Sequence, residues 1–175
     1  FSVTPTPPPS APPLLGGARG GWVTTRPIAG TRARGKTPQE DARLEHDLRT
    51  SIKERAEHVM LVDLLRNDLA RVCKPGTVEV TEAFTVERYS HVMHLVSEVQ
   101  GKTKKSLKDI FASIFPGGTV TGAPKESVMQ TICDLEPVPR GAYTGSLGYV
   151  SGMGTDFNML IRSFTFAKNK TYFSH

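Results

Sequence analysis

Residues 51–80 read SIKERAEHVMLVDLLRNDLARVCKPGTVEV, and the pattern of apolar residues changes within this stretch. Ser51 with Glu54 forms a capping box, which starts a helix that the apolar residues continue to about Val72. Pro75-Gly76 then predicts a turn into a strand with alternating valines. A long helix joined by a short turn to a strand indicates a mixed α and β fold.

The same kinds of signal predict the elements on both sides. Residues 37–40, Thr-Pro-Gln-Glu, are a second capping box with proline at the first helical position. The further predicted elements are a strand at 22–25, helices at 38–49, 107–115 and 124–135, and strands at 78–80, 87–100, 143–151, 157–167 and from 170 onward. Because they come in mixed order, we expect an α+β fold with antiparallel-rich sheets packed face to face and flanking helices.

The N-terminal segment has a different composition from the rest of the chain. Six of the 13 prolines lie within residues 1–13, and a Gly/Arg stretch follows them. Such a segment buries too little apolar surface to fold. We therefore expect residues 1–21 to be a disordered leader and residues 22–175 to be the folded domain.

The net charge of +5 is distributed unevenly. Residues 1–35 hold four arginines and no acidic residue, so the remainder has 18 basic against 17 acidic residues. The one tight basic cluster, Lys102 to Lys108, has no aromatic residues between its lysines and is typical of a solvated face. We therefore expect no nucleic-acid partner.

The sequence also lacks the patterns typical of membrane proteins, of disulfide-bonded proteins and of proteins with a structural zinc site. No apolar run approaches the roughly 20 residues that a spanning helix needs, so we expect no membrane association and a cytoplasmic location. Cys73 and Cys133 stand outside any C-x-x-C pair, which argues against a disulfide framework or structural zinc. We expect both to be buried thiols.

Two segments carry groups that bind anions or metals. The Gly/Thr-rich loop 117–122 before Lys125 lacks the Walker pattern, but its backbone N–H groups can hold an anion; a plain glycine-rich connection is the alternative. Glu57 shares a helix face with Leu61 and Asp68, so a carboxylate points where an apolar residue is expected. Such a carboxylate coordinates a metal or is simply solvated or salt-bridged.

Two further patterns bear on the chemistry of the chain. Arg162 interrupts an apolar strand face, where it suits either a bidentate carboxylate clamp or a structural ion pair. His91 and His94 have an odd spacing on a predicted strand and therefore face opposite sides, which disfavours a shared metal.

Several longer motifs occur in one order and spacing, and together they make the chain resemble the chorismate-binding enzymes. That family includes anthranilate synthase component I and aminodeoxychorismate (para-aminobenzoate) synthase component I. The resemblance spans about residues 24–173. The motifs that carry it are PIAGTR at 27–32, AEHVMLVDL at 56–64, YSHVMHLVS at 89–97, GAPK at 122–125 and GSLGY at 145–149.

The resemblance implies a metal and a clamp for the carboxylates of chorismate. Glu57 matches one of two glutamates that hold Mg²⁺, and the metal in turn anchors a chorismate carboxylate. Arg162 and Tyr143 match the residues that hold the carboxylate of the enolpyruvyl side chain, for which a planar guanidinium offers two parallel donors.

The resemblance also implies the remaining contacts of the pocket. His94 matches a histidine near the leaving ring hydroxyl, where it assists proton transfer or stabilises charge. Lys125 matches a residue that binds or supports the pocket. The other matched chorismate-binding positions are Gly30, Thr31, Thr119 and Gly148.

The reaction implied is the replacement of a ring hydroxyl of chorismate by ammonia, which a separate glutamine amidotransferase subunit supplies. The motifs around 115–119, 143–149 and 156–159 resemble the branch that makes 4-amino-4-deoxychorismate for folate synthesis. Anthranilate synthase is the alternative. Ala29 stands where well-studied members of the first branch have a nucleophilic lysine, so a covalent route through this position is excluded.

The chain departs from the family at both ends. Residues 14–21 stand where the family has a Ser-Pro-Glu segment whose glutamate is a general acid, and the sequence stops before the second magnesium glutamate. We therefore expect a partial domain truncated at both ends, and a catalytically inactive fragment is the second alternative.

Overall fold

Thirteen helices and strands are present in a computed structural model that describes residues 21–151, 154–167 and 170–174. Almost all of the predicted leader lies outside the described residues, except Gly21, which is the first residue of a strand. The elements are β1 Gly21–Thr25, β2 Ile28–Ala33, α1 Pro38–Thr50, α2 Ile52–Ala70, β3 Glu79–Arg88, β4 Val92–Thr103, α3 Leu107–Ile114, α4 Gly118–Thr121, α5 Lys125–Leu135, β5 Ser146–Ser151, β6 Gly154–Met159, β7 Ser163–Ala167 and β8 Lys170–Ser174.

Strand β4 is the centre of the main sheet. It pairs with β3 along one edge, and with β1 and β2 end to end along the other. Two hairpins, β5–β6 and β7–β8, form separate two-stranded sheets. Every one of these pairs is antiparallel, so the predicted α+β class with antiparallel sheets is confirmed.

Local side-chain caps start the first two helices where the sequence predicts. The Thr37 hydroxyl accepts from the Glu40 N–H at 3.2 Å, and the Ser51 hydroxyl accepts from the Glu54 N–H at 3.3 Å. The return half of each box is absent, because the Glu40 carboxylate accepts from the Lys36 N–H and Glu54 pairs with an arginine. Both predicted helix starts are therefore confirmed, but each capping box has only one of its two predicted hydrogen bonds.

The prediction of one continuous β-segment over 87–100 is wrong. Residues 89–91 form a turn, closed by the bond from the Tyr89 N–H to the Val92 carbonyl at 2.8 Å, and this turn separates β3 from β4. The argument from opposite strand faces therefore does not apply to His91, which lies in the turn with its Nδ1 2.7 Å from the Ser90 hydroxyl. Residues 92–96 keep the predicted alternation only in part, since Val96 is buried along with Met93 and Leu95.

The predicted strand over 157–167 is also divided. The chain turns at Arg162, whose φ of +50° lies in the left-handed region. β6 ends at Met159 before this turn and β7 begins at Ser163 after it. Residues 143–145 precede β5 as a turn, although the sequence predicts strand there.

The core lies where helix α2 covers the sheet. One buried cluster joins Leu69 of α2 to Val23, Val99 and the apolar face of α3, and another joins Leu48 of α1 to Met93 and Leu95. Burial raises the pKa of the Cys73 thiol to about 11.

Helix α5 lies outside this core, against expectation. The helical spacing of Val128, Met129, Ile132 and Leu135 predicts an apolar stripe that faces inward. Met129 and Leu135 are 41% and 75% exposed, so this prediction is wrong for these two residues. Cys133, on the same helix, is exposed rather than buried. The described part of the chain contains no helix long and apolar enough to cross a bilayer.

Leu69→Ala tests this account of the core. The side chain is fully buried, so its truncation leaves a cavity and is expected to lower the free energy of unfolding by about 2–5 kcal/mol. Urea denaturation followed by circular dichroism measures the change. The control is Leu135→Ala, the same substitution at an exposed helical position, and an equal loss in both variants would contradict the assignment of the core.

Candidate functional site

Strand β2 contains a bulge at the first group of predicted site residues. Ile28 pairs with Val96 and Thr31 pairs with His94, so two residues of β2, Ala29 and Gly30, stand opposite one residue of β4. Gly30 has a φ of +98°, and a Cβ there would approach Leu48 Cδ1 to 2.9 Å. Both the backbone conformation and the space at this position therefore require glycine.

Thr31 and His94 are brought together by this register. The Thr31 hydroxyl and His94 Nδ1 are 2.9 Å apart, so the hydroxyl orients the imidazole ring. His94 Nε2 has no hydrogen-bond partner among the described residues. This arrangement leaves one ring nitrogen available to exchange a proton with a ligand.

Glu87 completes a row across the sheet with Thr31 and His94. It is the β3 partner of His94 in the register, so the two side chains share a face. Burial raises the pKa of Glu87, but hydrogen bonds from Tyr89 and Arg26 outweigh it, and the pKa lies below its usual value. Thr31, His94 and an ionised Glu87 therefore form one polar row across β2, β4 and β3.

Arg32 connects Thr31 to helix α2. Its Nη1 donates to the Thr31 carbonyl at 2.8 Å and to Glu54 Oε1 at 3.0 Å. A charge-assisted bond of this kind holds the strand against the first turn of the helix. This bond is not predicted from the sequence, where Glu54 is assigned only to the capping box and Arg32 only to the PIAGTR motif.

Glu57 lies one turn further along α2, and its carboxylate is not turned inward as expected. The side chain is 52% exposed, and Lys53 Nζ lies 3.9 Å from Oε1. No cluster of three His, Cys, Asp or Glu side chains suited to a metal occurs within 21–151, 154–167 and 170–174. An accessible carboxylate nevertheless fits Mg²⁺, which prefers oxygen ligands and keeps several waters, so Glu57 is suited to supply one ligand.

The buried carboxylate of this helix face is Asp68. Lys125 Nζ donates to Asp68 Oδ2 at 2.7 Å and to the carbonyls of Ser113 and Ile114 at 3.4 and 3.2 Å. The two charged side chains are only 10% and 3% exposed. Because its ammonium group is engaged inside the protein, Lys125 joins the start of α5 to α2 and to the end of α3.

A second group of predicted site residues lies on the C-terminal elements. Thr119 Oγ1 is 3.8 Å from Met159 Sδ, and the Arg140 guanidinium carbon is 5.8 Å from the centre of the Tyr143 ring. A Cβ on Gly148 would lie 2.0 Å from the Asp156 carbonyl, which agrees with a close-packed glycine. Arg162 is exposed and has no ion-pair partner in the described residues.

The described contacts do not join these two groups into one pocket. No hydrogen bond or ion pair among the described residues links the Thr31–His94–Glu87 row to Thr119, Tyr143 or Arg162. A cavity of about 590 Å³ includes Tyr143 and the exposed face of α5, but neither Thr31 nor His94. Each group is therefore ordered by its own neighbours.

Comparison with known proteins identifies the family of the chain. Residues 10–175 match the family described as chorismate binding enzyme. The chain belongs to this family. Aminodeoxychorismate synthase component 1 of Bacillus subtilis (strain 168) is 54% identical over 157 residues, which cover 87% of this chain and 33% of the relative.

Other members of the chorismate-binding family are similar to nearly the same degree. Anthranilate synthase component 1 of Acinetobacter calcoaceticus is 48% identical over 166 residues, 93% of this chain and 33% of the relative. The crystal structure of anthranilate synthase component I from Streptococcus pneumoniae TIGR4 superposes with a TM-score of 0.70 at 41% identity, over 82% of this chain and 32% of that one. The chain thus spans about a third of the length of its curated relatives.

Lys125→Met tests the buried ion pair. The variant leaves the Asp68 carboxylate buried without its partner and is expected to lower the free energy of unfolding by about 3–5 kcal/mol. Lys53→Met is the matched control, because Lys53 is 82% exposed in its pair with Glu57 and its loss should cost at most about 1 kcal/mol. Urea titrations measure both.

Replacement of both partners gives a further check. The double variant Asp68→Leu/Lys125→Met removes both charges and should regain part of the stability that Lys125→Met loses. A double variant no more stable than the single one would contradict an ion pair as the cause.

Proposed function

We propose that this chain forms part of a chorismate-aminating synthase component I, which makes 4-amino-4-deoxychorismate from chorismate and ammonia. The observation that carries the proposal is the Thr31–His94 pair beside the Gly30 bulge, in a chain of the chorismate-binding family. The relative named aminodeoxychorismate synthase component 1, at 54% identity, supports this product.

Chorismate carries two carboxylates, and the chain has a separate candidate for each. Arg162 is exposed without an ion-pair partner among the described residues, so its guanidinium is available for bidentate binding of the enolpyruvyl carboxylate, and Tyr143 is the second proposed contact of that group. Glu57 would provide a Mg²⁺ ligand, and the bound ion would supply positive charge to hold the other carboxylate. Gly30 and Thr31 would offer their backbone to the ligand, and Thr119 and Gly148 are the further proposed contacts.

The reaction forms a C–N bond to ammonia and breaks the C–O bond of the ring hydroxyl, which leaves as water after it gains a proton. His94 is the proposed residue at this step, because its Nε2 is unpartnered within the described residues and its ring is oriented by the Thr31 hydroxyl. Ala29 has no nucleophilic atom, so ammonia attacks the ring without a covalent intermediate at this position.

Anthranilate synthase component I is the second candidate. It is supported by relatives of that name, one of them 48% identical and a solved one 41% identical. A catalytically inactive segment is the third, because the chain spans about a third of these proteins. The amidotransferase partner, the cytoplasmic location and the absence of nucleic-acid and membrane partners stay predictions.

Glu57→Gln tests the metal-dependent part of the proposal. The amide keeps the size of the side chain and removes its charge, so chorismate affinity in Mg²⁺ is expected to fall by at least about tenfold, and affinity in EDTA should not change. Isothermal titration calorimetry on the 175-residue chain measures both. Asp63→Asn, on the same helix and 73% exposed, should bind chorismate as the unchanged chain does.

A product assay separates the three candidates. The chain is incubated with chorismate, Mg²⁺ and ammonia, then with or without an aminodeoxychorismate lyase. Para-aminobenzoate that forms only with the lyase supports the proposed reaction. Anthranilate fluorescence without the lyase would overturn it in favour of anthranilate synthase, and chorismate binding without turnover would favour the inactive segment.

A further inference from the structure

His58 is a buried polar side chain that the proposed mechanism does not use. It lies on helix α2, next to Glu57, and is 0% exposed. Both of its ring nitrogens have partners: Nδ1 is 3.2 Å from the Ala29 carbonyl, and Nε2 is 2.7 Å from the Ser97 hydroxyl. An apolar side chain would be enough to fill this space. The imidazole therefore serves to satisfy the hydrogen bonds of the buried polar groups around it.

The hydrogen bonds around His58 form a chain in which each group donates to the next. The Phe84 N–H donates to the Ser97 hydroxyl at 3.1 Å, which leaves the hydroxyl proton free to be donated to His58 Nε2. The Ala29 carbonyl can only accept, so the ring proton is on His58 Nδ1. With the proton on Nδ1 and the lone pair on Nε2, the ring satisfies both of its partners at once.

The two ends of this chain of bonds are the two bulges that flank strand β4. Ala29 belongs to the bulge of β2, which stands opposite Leu95. Phe84, with a φ of +55°, belongs to a bulge of β3 opposite Ser97, since Glu82 pairs with Glu98 and Thr85 with Val96. A bulge leaves backbone groups without ladder partners, and the Ala29 carbonyl and the Phe84 N–H are the groups that the His58–Ser97 pair binds.

We propose that His58 is a positioning residue for the chorismate site: its imidazole Nδ1 holds the Ala29 carbonyl and thereby sets the backbone of Gly30 and Thr31. The Ala29 carbonyl and the Gly30 N–H belong to one planar peptide unit, so fixing the first orients the second. Thr31 follows directly and orients His94 through its hydroxyl. This inference rests on the proposed function for its consequence in binding, but not for the positioning itself.

Two substitutions separate the two bonds of His58. The amide nitrogen of asparagine takes the place of Nδ1, so His58→Asn keeps a donor to Ala29 and loses the partner of Ser97. The amide of glutamine reaches the place of Nε2, so His58→Gln keeps the partner of Ser97 and loses the donor to Ala29. Both variants replace the imidazole ring with an acyclic amide side chain, and both are expected to be less stable than the unchanged chain.

The first measurement is made by NMR on the 175-residue chain without ligand. His58→Gln should shift the Gly30 and Thr31 amide resonances and speed their hydrogen exchange by at least about tenfold, equal to about 1.4 kcal/mol, relative to the Val99 amide. His58→Asn should leave the same amides near their original shifts and exchange rates. Equal effects of the two variants at Gly30, or no effect of either, would overturn the positioning role whatever the chain binds.

The second measurement is chorismate affinity by calorimetry. His58→Gln should weaken binding at least about tenfold, and His58→Asn should retain most of the affinity. If the amide shifts behave as expected and no form of the chain binds chorismate, then the positioning is correct and the proposed function is wrong. If the chain binds and both variants weaken binding equally, the positioning inference is wrong and the function stands.

Ser97→Ala keeps the proposal open to test if neither His58 variant folds. It removes the partner of Nε2 and the acceptor of the Phe84 N–H, while the bond to Ala29 remains. The Phe84 amide should therefore shift while Gly30 stays in place. A shift of the Gly30 amide resonance as large as that of Phe84 would overturn the inference that His58 holds Ala29 independently of Ser97.

Discussion

The pairing of strand β4 with strands on both of its edges is the constraint on which the first part of the site depends. Thr31, His94 and Glu87 come from three strands and form one row only because their registers against β4 agree at this point. A shift of one residue in either register would place one of these side chains on the other face of the sheet. The bulges allow this row to form while the strands change register further along.

Helix α2 joins that sheet to the rest of the described chain through polar groups placed along its length. Glu54 binds Arg32 beside Thr31, and His58 binds the backbone of the β2 bulge directly and that of the β3 bulge through the Ser97 hydroxyl. Nearly three turns later, Asp68 binds Lys125 at the start of α5. These interactions are specific in direction and partner, so they fix where the helix sits along its axis, which apolar packing alone defines less sharply.

The sequence was sufficient to predict those elements whose hydrogen bonds join residues close together in the chain. The capping hydroxyls of Thr37 and Ser51 sit three residues before the N–H groups they bind, and both helix starts were predicted correctly. The turn at 89–91 was missed because Tyr-Ser-His contains neither glycine nor proline. The break at Arg162 was missed for a similar reason, since a bulky residue rarely adopts a positive φ.

The sequence by itself determined the family motifs, the α+β class and the approximate bounds of α1, α2, α3 and α5, because these depend on composition and short-range spacing. The short helix α4 lies in a segment that the sequence predicts as a loop. Only the tertiary structure decided which carboxylate of α2 is buried. Glu57 and Asp68 share a helix face, yet they are 52% and 3% exposed. The reason is that α3 and Lys125 cover only the C-terminal part of α2 among the described elements, and helical periodicity carries no information about which neighbour covers which turn.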